Sequence, residues 1–192
     1  MPRRAALLAF ASAFALAFLA TTACARAEPP GRAEWDAFLA QPSNKAAYGK
    51  FVAYLASQNV ARVVEPSELL RQGTDWKRLG AAPFAVPPEE LWPNIVPVLR
   101  FVEKELEPHL GELEVLSAYR TEGYNEPAGG ARHSRHRSFE ALDLQPKKDL
   151  AREDLRAKLA SIWKAKGKEN RLGLGLYGGT RFHVDRWRYR TW

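Results

Sequence analysis

Apolar positions along this chain fall first into helical spacing and then into alternation. Between Glu34 and Asn59, Tyr48, Phe51, Val52 and Leu55 recur at i, i+3, i+4 and i+7, the stripe of an amphipathic helix, with Ser43 as its cap after Pro42. Residues 60–85 keep no period, and Gly73, Gly80 and Pro83 predict loops with short ordered pieces. Val86-Pro87-Pro88 opens a second helix with Leu91, Ile95, Val98, Val102 and Leu106 as its core face, bent near Pro97 and ended by Pro108 and Gly111. The period then shortens to two. Leu113 to Ala118 reads as a strand that delivers Tyr119 and Arg120 to its end, and Ala141 to Leu144 as a short strand with Asp143 on the side of Ala141. Asp149 caps a third helix, with Leu155, Leu159 and Ile162 on one face. Leu172 to Tyr177 and Arg181 to Trp187 are the last two strands; in the latter, Arg181, His183 and Asp185 share a face. Helices followed by strands predict an α+β chain.

The first 27 residues stand outside that pattern. Arg3 and Arg4 precede an apolar run from Ala5 to Ala20 that is short for a bilayer span, and Ala25-Arg26-Ala27 is a small-x-small cleavage site. We expect a signal peptide over residues 1–27 and an exported product, periplasmic or in the cell envelope. Lipid anchoring through Cys24 is the lesser alternative, because Thr21 occupies the aliphatic position of a lipobox. With that one cysteine the chain has no disulfide, and its stability must come from packing. The formal net charge is +7, and removing Arg3, Arg4 and Arg26 leaves a mildly basic +4. Export argues against nucleic acid as partner and favours an anionic envelope polymer. Residues 28–192 have the length of one domain, expected as a monomer without a transmembrane segment.

Candidate chemistry concentrates between Ser117 and Asp143. Ser134, His136, Ala141 and Asp143 read S-x-H-x-x-x-x-A-x-D in a loop-rich stretch, so one imidazole and one carboxylate can supply two ligands to a metal of zinc type. His183 offers a third. By itself, His183 reads equally as a half-buried strand histidine bonded to Asp185, and Arg120 as a surface residue paired with Glu122. Ser134 is placed either to reach a bound ligand or to make a local backbone hydrogen bond. Gly173 and Gly175 in L-G-L-G-L-Y suggest close strand packing or a bulge.

The ordered run S-A-Y-R-T, Y-N, G-G-A, S-x-H, A-x-D, G-L-G-L-Y and F-H-V-D resembles the zinc D,D-peptidases of the M15 family, from about Leu113 to Trp192 and more loosely back to about Ser43. That family includes D-alanyl-D-alanine carboxypeptidases and murein endopeptidases and shares a fold with the Hedgehog signalling domain. The resemblance implies a small antiparallel sheet carrying a zinc site and packed against helices, with an N-terminal helical region over 28–112 and a peptidase core over 113–192. It implies Zn2+ held by His136, Asp143 and His183, Arg120 facing the substrate carbonyl, and peptidoglycan or its peptides as substrate. Two positions depart from the family's pattern. Phe139 stands where a glycine is usual, so the loop between the first two ligands must take another path or pack an aromatic. Thr180 and Arg181 stand where a glutamate or histidine serves as general base, which leaves Asp185 as the nearest carboxylate for proton transfer or for orienting His183. The chain therefore reads as an exported zinc peptidase of carboxypeptidase or endopeptidase type; the alternative is a non-catalytic, metal-binding cell-wall module of the same fold.

Overall fold

The computed structural model describes residues 28–192; the expected signal peptide, its cleavage site and Cys24 lie outside the described residues. The helical half begins with α1 (Arg32–Leu39), where the Glu34 carboxylate accepts from the Gly31 N–H at 2.9 Å, and α2 (Pro42–Ser57). The single helix expected here is two. Pro42 is the first residue of α2, a position where its missing N–H costs nothing, and Gln41 rather than Ser43 is the cap residue. Phe51 and Leu55 are fully buried. A 3-10 turn (Pro66–Leu70) and α3 (Trp76–Leu79) follow.

The proline-rich helix is regular as α4 (Trp92–Phe101), passes through one π-helical stretch (Val102–Leu106) and finishes as α5 (Glu107–Leu110). Pro97 lies inside α4, but the irregularity sits just before Pro108, which has no N–H for the Lys104 carbonyl. Pro108 does not end the helix; Gly111 does, at φ 75°. Ile95, Leu99, Val102 and Leu106 are completely buried and form the floor on which the sheet rests.

Strands β1 (Leu113–Ser117), β2 (Ala141–Pro146), β3 (Gly173–Leu176), β4 (Phe182–Asp185) and β5 (Arg190–Thr191) form one sheet in the order β1-β2-β4-β3-β5. The first four pair antiparallel, as expected, but β5 runs parallel to β3. The sheet is therefore mixed. A chain that leaves β4 and reverses direction must emerge parallel to β4's antiparallel neighbour, and β5 does so on β3's outer edge. Short α6 (Glu122–Asn125) and the long loop to β2 lie between β1 and β2, and α7 (Arg152–Lys166) between β2 and β3. Ala151, not Asp149, precedes α7 as its cap residue.

Alternation sorts the central strands. Leu142, Leu144, Phe182 and Val184 enter the common core with Leu155, Leu159 and Ile162 of α7. Asp143, His183 and Asp185 take the other face yet stay buried, at 7 %, 5 % and 0 % exposure. Charged and titratable groups with so little contact to water must be paired or ligated. Among the described residues no helix is long and apolar enough to cross a membrane.

Candidate metal centre

Register builds the site. Asp143 on β2 and His183 on β4 are direct cross-strand partners, and Ser117 on β1 pairs with Asp143 from the other side. His136 arrives from the loop before β2. Its backbone carbonyl accepts from the Arg120 N–H at 3.1 Å, and its Nδ1 lies 2.7 Å from the Ala118 carbonyl. That contact makes Nδ1 the protonated nitrogen and leaves Nε2 as a lone pair aimed inward. His183 is fixed in the opposite sense: Nε2 lies 3.1 Å from Asp185 Oδ2, and Nδ1 faces inward.

The three inward atoms form a small triangle. His136 Nε2 is 3.2 Å from Asp143 Oδ1 and 3.2 Å from His183 Nδ1, and the latter two are 2.9 Å apart. Two donors about 2.0–2.1 Å from a tetrahedral zinc stand about 3.3–3.4 Å apart, close to these edges. Three such atoms converging this tightly need a proton or a metal cation among them, and donor chemistry and spacing both fit a metal ion. The surrounding field favours the ligating form at His136 and Asp143, while at His183 it favours the protonated form that a metal would displace. Burial, helped by Arg120, pushes His136 down to about 4, so it is neutral and able to ligate. Burial alone would also lower His183, but its bonds to Asp143 and Asp185 outweigh burial and raise it. Burial works against the Asp143 charge, but His136, His183 and Arg120 hold its pKa well below the usual carboxylate range.

Each donor has a support. Arg120 Nη2 donates to Asp143 Oδ2 at 2.5 Å, while its Nε donates to the Gln72 carbonyl at 3.0 Å and to Ser117 Oγ at 2.8 Å. Arg120 thus holds Asp143 as well as lining the cleft, and it does not pair with Glu122, which binds Arg137. Asp185 is engaged at both oxygens: Oδ2 with His183 and with Arg190 Nη2 at 2.6 Å, Oδ1 with Arg190 Nη1 and the Trp187 N–H, each at 3.0 Å. Burial opposes this charge, yet the bonds from His183, Arg190 and Trp187 bring its pKa down to about 2. Ser134 lines the cleft and also accepts locally from the His136 N–H at 3.4 Å.

The donors sit in a cleft of about 550 Å³ that also exposes Asp75, His133, Arg135, Tyr177, Arg181 and Trp192. Several of these were not legible. Tyr177 donates its hydroxyl to Asp143 Oδ1 at 3.3 Å, and Trp192 leans over His183 with ring centroids 5.2 Å apart. The two glycines of β3 carried the signal. A Cβ on Gly175 would lie 2.6 Å from the Trp192 ring, and one on Gly173 would lie 2.5 Å from both Asp185 and Arg190. Their alternation is close packing, not a bulge.

Phe139 resolves its own departure. It adopts φ 56°, the left-handed conformation that favours glycine, while its ring is completely buried against Phe51 and Tyr119. Thus the position has a glycine-like backbone and a packed aromatic at once. The Thr180–Arg181 pair puts no carboxylate near the donors, and Glu140, in the loop between His136 and Asp143, is held by Arg135 and Ser138.

A sequence-family model described as Peptidase M15 matches residues 63–185. No curated protein and no solved structure matches the chain. The match begins well before β1, inside the region first assigned to a helical preface, and the structure gives the reason: Glu68 accepts from the Val115 N–H at 2.9 Å and Gln72 anchors Arg120, so this segment is part of the site's frame. With the matched span covering well over half of the sequence and enclosing all three converging donors, this chain belongs to the Peptidase M15 family of metal-dependent peptidases.

Proposed function

We propose that the protein is an exported zinc-dependent peptidase that hydrolyses amide bonds in peptidoglycan stem peptides or their cross-links, with residues 28–192 as its one domain. The observation that carries this reading is the convergence of His136 Nε2, Asp143 Oδ1 and His183 Nδ1 at the floor of an open cleft. Three protein donors leave a fourth position free, the arrangement of hydrolytic rather than structural zinc sites. Zinc held by His136, Asp143 and His183 would supply Lewis acidity and a water with a pKa lowered towards about 7. We assign the rest of the chemistry to this chain's own side chains. Arg120, clamped at Nε and Nη2, presents Nη1, which makes no hydrogen bond among the described residues, to a substrate carbonyl oxygen. A guanidinium fixed in this way stabilises the charge that develops on that oxygen when water adds. Ser134 contacts the bound peptide from the opposite loop.

Asp185 is a positioning residue in this reading. Both of its oxygens are occupied and it is wholly buried, so it keeps His183 Nε2 protonated and Nδ1 turned inward. The proton for the leaving amine then falls to Asp75 or His133, the carboxylate and the imidazole that line the cleft outside the donor triangle and its supports. The test is digestion of purified murein by the mature protein, read by chromatography of the products with and without chelator. Chelator-sensitive cleavage is expected, together with binding of about one zinc per chain that His136→Ala abolishes. Stoichiometric zinc retained by His136→Ala would sink the ligand set. Zinc binding without cleavage of any murein peptide would favour the non-catalytic module.

A further inference from the structure

Four arginines line the cleft, and three are already matched to carboxylates. Arg120 pairs with Asp143, Arg135 with Glu140 at 3.0 Å, and Arg190 with Asp185. Arg181 is the exception: half-buried on the cleft wall, its guanidinium makes no hydrogen bond or ion pair among the described residues. Its place is well defined. It leads into β4 two residues before His183, and two residues of strand span about 6–7 Å. Its backbone carbonyl accepts from the Tyr177 N–H at 3.0 Å, closing the turn between β3 and β4. Arg152 reaches across from the start of α7 to the carbonyls of Tyr177 and Gly179, so the turn is braced from outside. The Arg181 charge also acts on Tyr177, whose hydroxyl touches Asp143. An unpaired guanidinium on the cleft wall, carried by a braced backbone two strand positions from His183, is equipped to receive a planar anion.

We propose that Arg181 is a specificity residue that docks a substrate carboxylate lying about one residue from the scissile amide. The inference rests on the peptidase reading and deepens it. One residue of extended peptide spans about 3.3–3.6 Å, so a carboxylate one position beyond the reacting carbonyl falls within an arginine's reach of the donors. The same chemistry comes from two sources, the terminal carboxylate of the last residue or a side-chain carboxylate of an internal one. The first makes the enzyme a carboxypeptidase and the second an endopeptidase. Arg181 occupies a position where the family's pattern places a base, so the site has a charge for recognition where a proton carrier is expected.

Three N-acylated peptides of otherwise identical sequence separate the possibilities: one with a free terminal carboxylate, one with a terminal amide, and one with a terminal amide and an acidic side chain beside the scissile bond. Each is titrated against the zinc-loaded protein, with binding read from Trp187 and Trp192 fluorescence and cleavage read as KM and kcat. We expect one of the two acidic peptides to bind and react about 10–100-fold better than the neutral one, the range for a charge-assisted hydrogen bond. Arg181→Gln should erase that preference mainly through KM, with zinc content unchanged, and Arg181→Lys should restore part of it. Which acidic peptide wins identifies the source. An unchanged preference in Arg181→Gln, equal treatment of all three peptides by the unaltered protein, or no measurable binding of any of them overturns the assignment. If the peptides bind but none is cut, the peptidase reading fails while the fluorescence titrations still decide the role of Arg181.

Discussion

Phe139 offers a quantitative test of how the loop between His136 and Asp143 is built. Its ring is fully buried between Phe51 and Tyr119, so Phe139→Ala should cost about 3–5 kcal/mol, the usual range for emptying an aromatic site. The backbone adds a second effect. At φ 56° a residue with a Cβ is strained by about 1–2 kcal/mol, and alanine keeps that strain while glycine does not. Glycine's greater freedom in the unfolded chain takes back about 0.5–1 kcal/mol. Phe139→Gly should therefore be more stable than Phe139→Ala by about 0.5–1 kcal/mol, the reverse of the usual order. For a chain of this size each kcal/mol moves Tm by about 2–4 °C, so the alanine variant should melt about 6–20 °C lower and the glycine variant a few degrees above it. Urea titration of the three proteins with a common slope measures both differences. Alanine equal to or better than glycine would refute the backbone argument. A loss below about 1 kcal/mol in Phe139→Ala would refute the packing argument.

Three further outcomes follow from the contacts around the site. Arg120→Lys should keep a cation near Asp143 and retain zinc but lose about 10²–10³ in kcat, because a point charge cannot reproduce the three-way clamp; unchanged turnover would make Arg120 only a support. Asp185→Asn and Arg190→Gln should each weaken zinc affinity by about 10–100-fold in a chelator competition; loss of turnover at full zinc affinity would instead make Asp185 a proton carrier. Glu68 is held above the ordinary carboxylate range chiefly by burial, against the Val115 N–H and Arg71, which lower it. A carboxyl raised in the folded state destabilises the fold once pH passes its unfolded pKa and does not below it. Glu68→Gln should thus raise Tm at neutral pH, with the gain vanishing as pH falls below about 4; a gain independent of pH would point to packing.

What was legible in the chain was local. His136 and Asp143 stand out because their spacing is short and their neighbours are turn-formers or alternating apolar residues, and Arg120 because it lies at the end of the strand read over Leu113 to Ala118. The supports were not legible, because they come from sequence-distant segments. Gln72 holds Arg120 through a backbone carbonyl, which any residue type possesses, and nothing in Val63–Ala85 marks it. Helix boundaries slipped where a side chain could serve two purposes: Ser43 and Asp149 are good caps in isolation, yet Gln41 and Ala151 are the actual cap residues. Strand β5 was missed because two residues carry no period, although the Gly173–Gly175 alternation recorded the bulk that Asp185, Arg190 and Trp192 place against them.

The Asp185–Arg190 pair also decides how the last strand lies. Strand β5 meets β3 over only two residues, too few for backbone bonds alone to choose one alignment over the next. A slip by a single position would turn Arg190 to the opposite face and leave a wholly buried carboxylate with one partner fewer. Breaking such a buried pair costs about 3–5 kcal/mol, far more than one edge hydrogen bond returns. The alignment is selected by the penalty on every alternative rather than by the attraction of the correct one. Replacing both residues with apolar side chains of similar volume should accordingly leave the protein folded while letting β5 fray or shift, which would appear as rapid amide exchange confined to the edge of β3.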